Sequence, residues 1–492
     1  MTTETTPIEI KTEKKEKPEI KDQIVVTQHS ITIGGEELKY TVTTGTLVLK
    51  EEVDREKDYD GEQPKAQFFF VAYTKDGVEN PAERPLSFSF NGGPGSSSVW
   101  LHMGLLGPRR VVLTLEGGLP KPPFQLTDNE FSLLDQTDLV FIDPVGTGYS
   151  RPADGEKAKQ FHGFKKDIET VGDFIRLYTT RYNRWLSPKF LIGESYGTTR
   201  ASALSGYLQS RHGMYMNGIV LVSTVLDFGT IDFTPGNELP YVLFLPTYTA
   251  TAWYHDALNT HEPLQSLLAE VEDFAVNEYA PALLKGNQIS ATESKSVLRK
   301  LARYTGLSSE YLERSNLRVP DFRFFKELLR KRGRTVGRLD SRFLGIDRDT
   351  LGEGTYNDPS STNTTGPYTA GFYDYIRREL KFETDLPYEV LTASVWPWSY
   401  TEFENQHVFV AETLRQAMSS NPHLKVFIAN GYYDLATPYF ATQYVFNHLG
   451  LDPTLRGNIS MAYYEAGHMM YIHQPALEQL KKDLSKFIAD AR

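Results

Sequence analysis

The sequence predicts an α/β fold, with a mostly parallel central sheet covered on both faces and a mainly helical insertion between its two halves. Three observations predict it. Short apolar strand runs alternate with helical apolar periodicity over residues 25–230, the pattern left by parallel strands joined through crossover helices. Helical patterns, a basic cluster at Lys326–Arg334 and a Gly/Ser/Thr/Asn loop at Gly352–Gly366 replace the strands over residues 231–395, which read as a lid. The strand–helix rhythm returns over residues 396–492. No internal repeat is visible.

In chain order, residues 1–24 are rich in Thr, Glu and Lys and read as a solvated, disordered tail. Ile31–Val48 alternates apolar and polar residues around Gly34-Gly35, a hairpin pattern. Gln67–Tyr73 and Pro85–Phe90 read as strands, the second running into Asn91-Gly92-Gly93-Pro94-Gly95. Asp138–Ile142 is a strand ending in the loop Asp143–Gly148. Phe164, Ile168, Val171 and Ile175 share one helical face. Lys189–Ile192 and Gly218–Val225 are buried-strand runs, with helix expected over Thr198–Leu208 between them. After the insertion come helix Val408–Ser419, strand Leu424–Ala429, helix Tyr439–Leu449, strand Ile459–Tyr464 and helix Pro475–Ala491.

Composition excludes several classes. A chain of 492 residues with 40% hydrophobic content can bury a large core. A net charge of −11 leaves no basic footprint, so nucleic acid is not an expected partner. The absence of cysteine excludes disulfides, thiolate catalysis and cysteine-based zinc sites. Met1–Lys21 carries no apolar segment of a secretory signal, so a cytoplasmic address is expected; a trimmed N-terminus would make it secreted or periplasmic. Apolar stretches such as Gly218–Val225 are too short to span a membrane, and no membrane association is expected.

The chemistry is concentrated in Gly193-Glu194-Ser195-Tyr196-Gly197. A G-x-S-x-G motif between strand and helix reads as a nucleophile elbow, a sharp turn that leaves the serine hydroxyl exposed. A serine hydroxyl needs a base beside it and a carboxylate to orient that base. In α/β-hydrolases the order is Ser, Asp, His, the last two on loops after late strands. Asp434 follows the strand Leu424–Ala429, and His468 follows the strand Ile459–Tyr464. The expected fold class is therefore an α/β-hydrolase with catalytic Ser195, Asp434 and His468. An oxyanion hole needs two backbone N–H donors, expected from Tyr196 and from the glycine-rich loop Asn91–Gly95. Asp143 is read as capping its own turn. His473 lies near His468 without a ligand cluster, so neither a metal nor any other cofactor is expected.

Asn91–Gly95 with Ser97-Ser98, Asp143–Ser150, Gly193–Tyr196 and Gly467-His468-Met469 together resemble the serine carboxypeptidase family. The lack of cysteine, including Ser96 where family members often carry Cys, resembles its bacterial-type branch. The resemblance implies removal of single residues from a peptide with a free C-terminus, through an acyl-enzyme. It also implies that Gly93 and Tyr196 donate to the oxyanion, and that Asn91 and Glu194 hydrogen-bond the substrate's terminal carboxylate, with Glu194 protonated because two carboxylates repel. The sequence departs from the family where a second carboxylate-binding glutamate is expected, at Leu105. Arg109 and Arg110 follow closely, and either offers a bidentate cation for the carboxylate. Alternatives are an esterase or acyltransferase on the same scaffold, or a non-catalytic scaffold protein. Trp253, Trp396 and Trp398 either line an apolar cleft or fill the core.

Overall fold

The computed structural model describes residues 20–55 and 58–492. The expected tail lies outside the described residues up to residue 19, while Gln23 and Ile24, its last part, already belong to a strand. Among the described residues ten strands form the main sheet, nine of them in one path: β1 (Gln23–Ile33), β2 (Glu36–Arg55), β3 (Asp58–Lys75), β4 (Leu86–Phe90), β5 (Asp138–Ile142), β6 (Lys189–Ser195), β7 (Gly218–Thr224), β8 (Lys425–Gly431) and β9 (Ile459–Tyr464); the tenth, Arg151–Pro152, pairs with β3 alone. Their spatial order is β1-β2-β3-β5-β4-β6-β7-β8-β9. The pairs from β1 through β3 to β5 are antiparallel. Every pairing from β5 to β9 is parallel.

All residues of β4, β5 and β7 are buried, which is why those runs are apolar without alternation. Successive side chains still divide between two cores. Phe190, Ile192, Val220 and Val222 enter one, and Leu191, Ile219 and Leu221 the other. The β1–β2 hairpin turns at Gly34-Gly35 as expected, with Ile33 opposite Glu36. Its second arm runs well past Val48, because β2 also pairs with β3.

The helices are α1 (Phe164–Arg181), α2 (Tyr196–His212), α3 (Leu239–Tyr254), α4 (Leu264–Phe274), α5 (Ala291–Thr305), α6 (Pro359–Arg378), α7 (Ala411–Ser420), α8 (Tyr439–Asn447) and α9 (Gln474–Asp490), with shorter turns between them. Helices α1, α2 and α7 cover one face of the sheet through Ile168, Leu204 and Leu414. Helices α6 and α9 cover the other through Phe372, Ile376, Leu480 and Leu484. The insertion therefore has two parts. Helices α3 to α5 build a core of their own around Phe244, Tyr248, Val271, Phe274 and Leu301, whereas α6 packs on the sheet. After α6, an irregular segment crosses the loop that follows β4, with Thr392 N–H donating to Gly95 O at 2.9 Å and Ser97 N–H to Val390 O at 3.0 Å. Among the described residues no helix is long and apolar enough to cross a membrane.

Candidate active site

Strand β6 ends at Ser195 and α2 begins at the next residue, so the turn has no room to relax. Ser195 takes φ 61° and ψ −130°, a conformation that costs a non-glycine residue about 1–3 kcal/mol and persists only where its surroundings impose it. They do so here. A Cβ on Gly193 would lie 2.1 Å from Gly197 O, and one on Gly197 would lie 2.8 Å from Phe90 O. Only glycine fits at either position.

Two loops at the carboxyl ends of β8 and β9 bring the other members of the constellation. His468 Nδ1 lies 2.7 Å from Asp434 Oδ2, and both side chains are buried. Asp434 is fully engaged: Oδ1 accepts from Ala436 N–H at 2.8 Å and Thr437 N–H at 3.0 Å, and Oδ2 also accepts from Thr437 Oγ1 at 2.7 Å. Burial disfavours the charged imidazole, but the charge and hydrogen bond of Asp434, helped by Glu194, outweigh it and hold the His468 pKa above its usual value. Ser195 and His468 line one cavity of about 490 Å³, together with Asn91, Gly92, Gly93 and Glu194.

The loop after β4 reaches the elbow because Gly92 lacks a side chain; a Cβ there would sit 2.4 Å from Tyr196 N. Gly93 is thereby placed at the cavity wall beside the first turn of α2. Asn91 faces the same space. Its Oδ1 accepts from Leu101 N–H at 3.1 Å, which turns Nδ2 toward Glu194 Oε1 at 2.9 Å. Burial of Glu194, reinforced by the charge of Asp434 and opposed by His468, Tyr471 and Asn91, pushes its pKa up to about 7. Its Oε2 has no partner among the described residues.

Arg109 and Arg110 require a correction. Arg109 is spent on Asp128 at 2.6 Å and Glu379 at 2.9 Å, and Arg110 lies 3.6 Å from Glu130 and over the Phe131 ring. Neither lines the cavity. The turn at Gly107-Pro108 sends the chain into a short strand, Arg109–Val111, paired with Leu126–Asp128, and the acidic residues lie on that side. Leu105 is fully buried in the core and brings no polar atom to the cavity. Asp143 is buried, accepting from Ser98 N–H and Oγ at 2.9 Å each, and burial raises its pKa to about 6. The tryptophans divide: Trp396 lines the cavity, Trp398 packs edge-on against the Tyr196 ring, and Trp253 packs on the core of the insertion.

Several contributors carry no local sequence signal. Arg200 is buried, paired with Asp167 at 2.8 Å, and donates to Asn91 O at 2.6 Å from behind the glycine-rich loop. Ser223 Oγ donates to His468 O at 2.6 Å, and Thr437 braces Asp434. The insertion contributes the segment 338–342. Leu339 O accepts from His468 N–H at 2.6 Å, Arg338 O accepts from Leu435 N–H at 3.0 Å, and Asp340 Oδ2 accepts from Gly467 N–H at 3.2 Å. Asp340 is in turn held by Arg342 Nη2 at 2.7 Å, with both side chains buried. The insertion is thus sewn to the loops that carry Asp434 and His468.

A serine on a strained elbow, a histidine bound to a buried aspartate and a glycine-rich loop beside that serine, all at the carboxyl ends of a parallel sheet, define the α/β-hydrolase fold class. Residues 57–474 match the family model of the serine carboxypeptidases, and the chain belongs to that family. Among curated relatives, serine carboxypeptidase-like 9 of Arabidopsis thaliana is 26% identical over 199 residues, 37% of this chain and 41% of the relative. Pheromone-processing carboxypeptidase KEX1 of Saccharomyces cerevisiae is 33% identical over 159 residues, 31% of this chain and 20% of the relative. The matches thus span less than half the length of those relatives. The crystal structure of the Saccharomyces cerevisiae prohormone-processing carboxypeptidase Kex1(Δ)p aligns with a TM-score of 0.56 at 17% identity, covering 92% of this chain and 91% of that one, and shares the fold.

Proposed function

We propose that the protein is a serine carboxypeptidase that releases C-terminal residues from peptides through an acyl-enzyme. The observation that carries this reading is the buried Asn91–Glu194 pair beside the nucleophile. A carboxyl group whose pKa is pushed up to about 7 still holds its proton under mildly acidic to neutral conditions, and a protonated acid can donate to a substrate carboxylate.

In this reading Ser195 Oγ attacks the carbonyl carbon of the last peptide bond while His468 Nε2 takes the hydroxyl proton. Asp434 fixes the tautomer and stabilises the imidazolium. The Gly93 and Tyr196 N–H groups receive the developing oxyanion. His468 gives the proton to the leaving amine, freeing the C-terminal amino acid, and then activates a water that hydrolyses the ester. The absence of cysteine supports a bacterial-type, disulfide-free branch of the family, although the relatives quoted above come from a plant and a yeast.

The test is hydrolysis of an N-blocked dipeptide and its C-terminal amide from about pH 4 to about 9, with Ser195→Ala as control. A carboxypeptidase prefers the free carboxylate and loses the activity in Ser195→Ala. Turnover of simple esters with no cleavage of either peptide moves the reading to an esterase or acyltransferase, which the apolar Leu105 favours, because the carboxylate clamp then has one acid fewer.

A further inference from the structure

The cavity is walled by two regions of the chain. Asn91, Gly93, Pro94, Trp100 and Glu194 come from the sheet side, and Arg338, Asp358, Ser361, Thr364 and Thr365 come from the insertion, at and around the first turns of α6. A peptide whose terminal carboxylate sits on Asn91 and Glu194 has its last residue inside this cavity, which the insertion wall bounds.

That wall carries Arg338. The residue is exposed, it lines the cavity, and its guanidinium makes no hydrogen bond or ion pair with any described residue. Its charge is felt across the cavity, where it opposes protonation of His468. Two acidic groups lie near it, and one of them, Asp358, lines the same cavity. Asp358 caps α6, its Oδ1 accepting from Arg338 N–H and Ser360 N–H at 3.0 Å each. Asp321 feels the charge of Arg338 without pairing with it and accepts from Phe322 N–H at 2.7 Å. The hydroxyls of Thr364 and Thr365 already donate within α6, to Ser360 O and Ser361 O. The guanidinium is the cation on this wall, and its five N–H groups match a carboxylate. It is also held in place, since its own N–H and C=O bind Asp358 and Leu435.

We propose that Arg338 binds the side-chain carboxylate of an acidic C-terminal residue, so that the enzyme selects peptides ending in glutamate or aspartate. This deepens the carboxypeptidase reading and rests on it. It assigns the two carboxylates of such a substrate to different anchors, the terminal one to Asn91 and Glu194 and the side chain to Arg338.

The experiment compares N-blocked dipeptides that share a penultimate residue and end in Glu, Gln, Leu or Lys. Wild-type kcat/KM for Glu should exceed that for Gln by about tenfold or more. Arg338→Gln should collapse that ratio toward one, Arg338→Lys should retain part of it, and Arg338→Glu should shift preference to the Lys peptide. Equal wild-type rates for Glu and Gln overturn the proposal. So does an equal loss on all four peptides in Arg338→Gln, which puts the guanidinium on the terminal carboxylate instead. If the wild type releases nothing from any peptide, the carboxypeptidase reading fails, and calorimetric binding to Ser195→Ala then decides the Arg338 assignment separately. Weaker binding of the Glu peptide alone, by about tenfold in Ser195→Ala/Arg338→Gln, sustains it; equal affinities end it.

Discussion

On the sheet side of the cavity the polar groups are held by several partners at once. Asp434 accepts four hydrogen bonds, His468 is bound at its ring, its N–H and its C=O, and Arg200 braces Asn91 from behind. On the side of the insertion, Arg338 reaches the same cavity with its backbone fixed and its guanidinium unpaired among the described residues. The contrast follows from what each wall must do. A triad works only if its geometry is set before substrate arrives, so its groups are buried and their hydrogen-bond capacity is used. A residue that reads the substrate must keep its donors free, so it stays at the rim where water satisfies them.

The largest effect tests the sheet side. Ser195→Ala, His468→Ala and the double variant should each lower kcat by on the order of 10⁴–10⁶, with little further loss on combination. Kinetics on an activated ester check this, and additive losses would break the triad. Next comes the seam between the walls. Asp340→Ala leaves Arg342 charged and buried, which should destabilise the fold by about 3–5 kcal/mol, read as a lower midpoint in denaturant. Replacing both with apolar residues of similar volume should recover most of that loss, and failure to do so would mean that the Gly467 contact matters more than the ion pair.

Thr437→Val removes one of two side-chain partners of Asp434 Oδ2 and should cost about 1–3 kcal/mol in kcat/KM, with no change in preference for the C-terminal residue. The smallest effect concerns pH. With His468 needed neutral and Glu194 protonated, kcat/KM on free-carboxylate peptides should rise as His468 loses its proton and fall as Glu194 ionises near pH 7. Ester substrates should show only the rise, and Glu194→Gln should abolish the alkaline fall. Glu194 also binds its proton in the folded state at pH values where an unfolded glutamate, with its ordinary 4.5, has released it. Stability should therefore decline as pH rises from about 4.5 to about 7 in the wild type, and less steeply in Glu194→Gln.

The placement of Ser195, Asp434 and His468 was legible in the chain because each follows a strand run, and strand ends in a parallel sheet meet at one edge. Ser195, Asp434 and His468 needed only that rule. Arg109 and Arg110 misled because nearness to the Gly104–Pro108 turn says nothing of the direction in which a side chain leaves it, and Glu379, the partner of Arg109, lies 270 residues away at the end of α6. Thr437, Ser223, Arg200 and Arg338 carried no motif; each acts through a contact with a residue distant in sequence or through a wall that forms only when α6 packs on the sheet.

By itself, then, the sequence determined the sheet, the elbow and the strand-end positions of Ser195, Asp434 and His468, because hydrophobic period, glycine at crowded turns and strand-end loops are local properties of the chain. The tertiary structure alone decided which charges are spent on one another, which carboxyl keeps its proton and which guanidinium is left facing the cavity. Those outcomes depend on burial and on partners up to some hundreds of residues away, and electrostatic energy is set by that surrounding rather than by the residue that bears the charge.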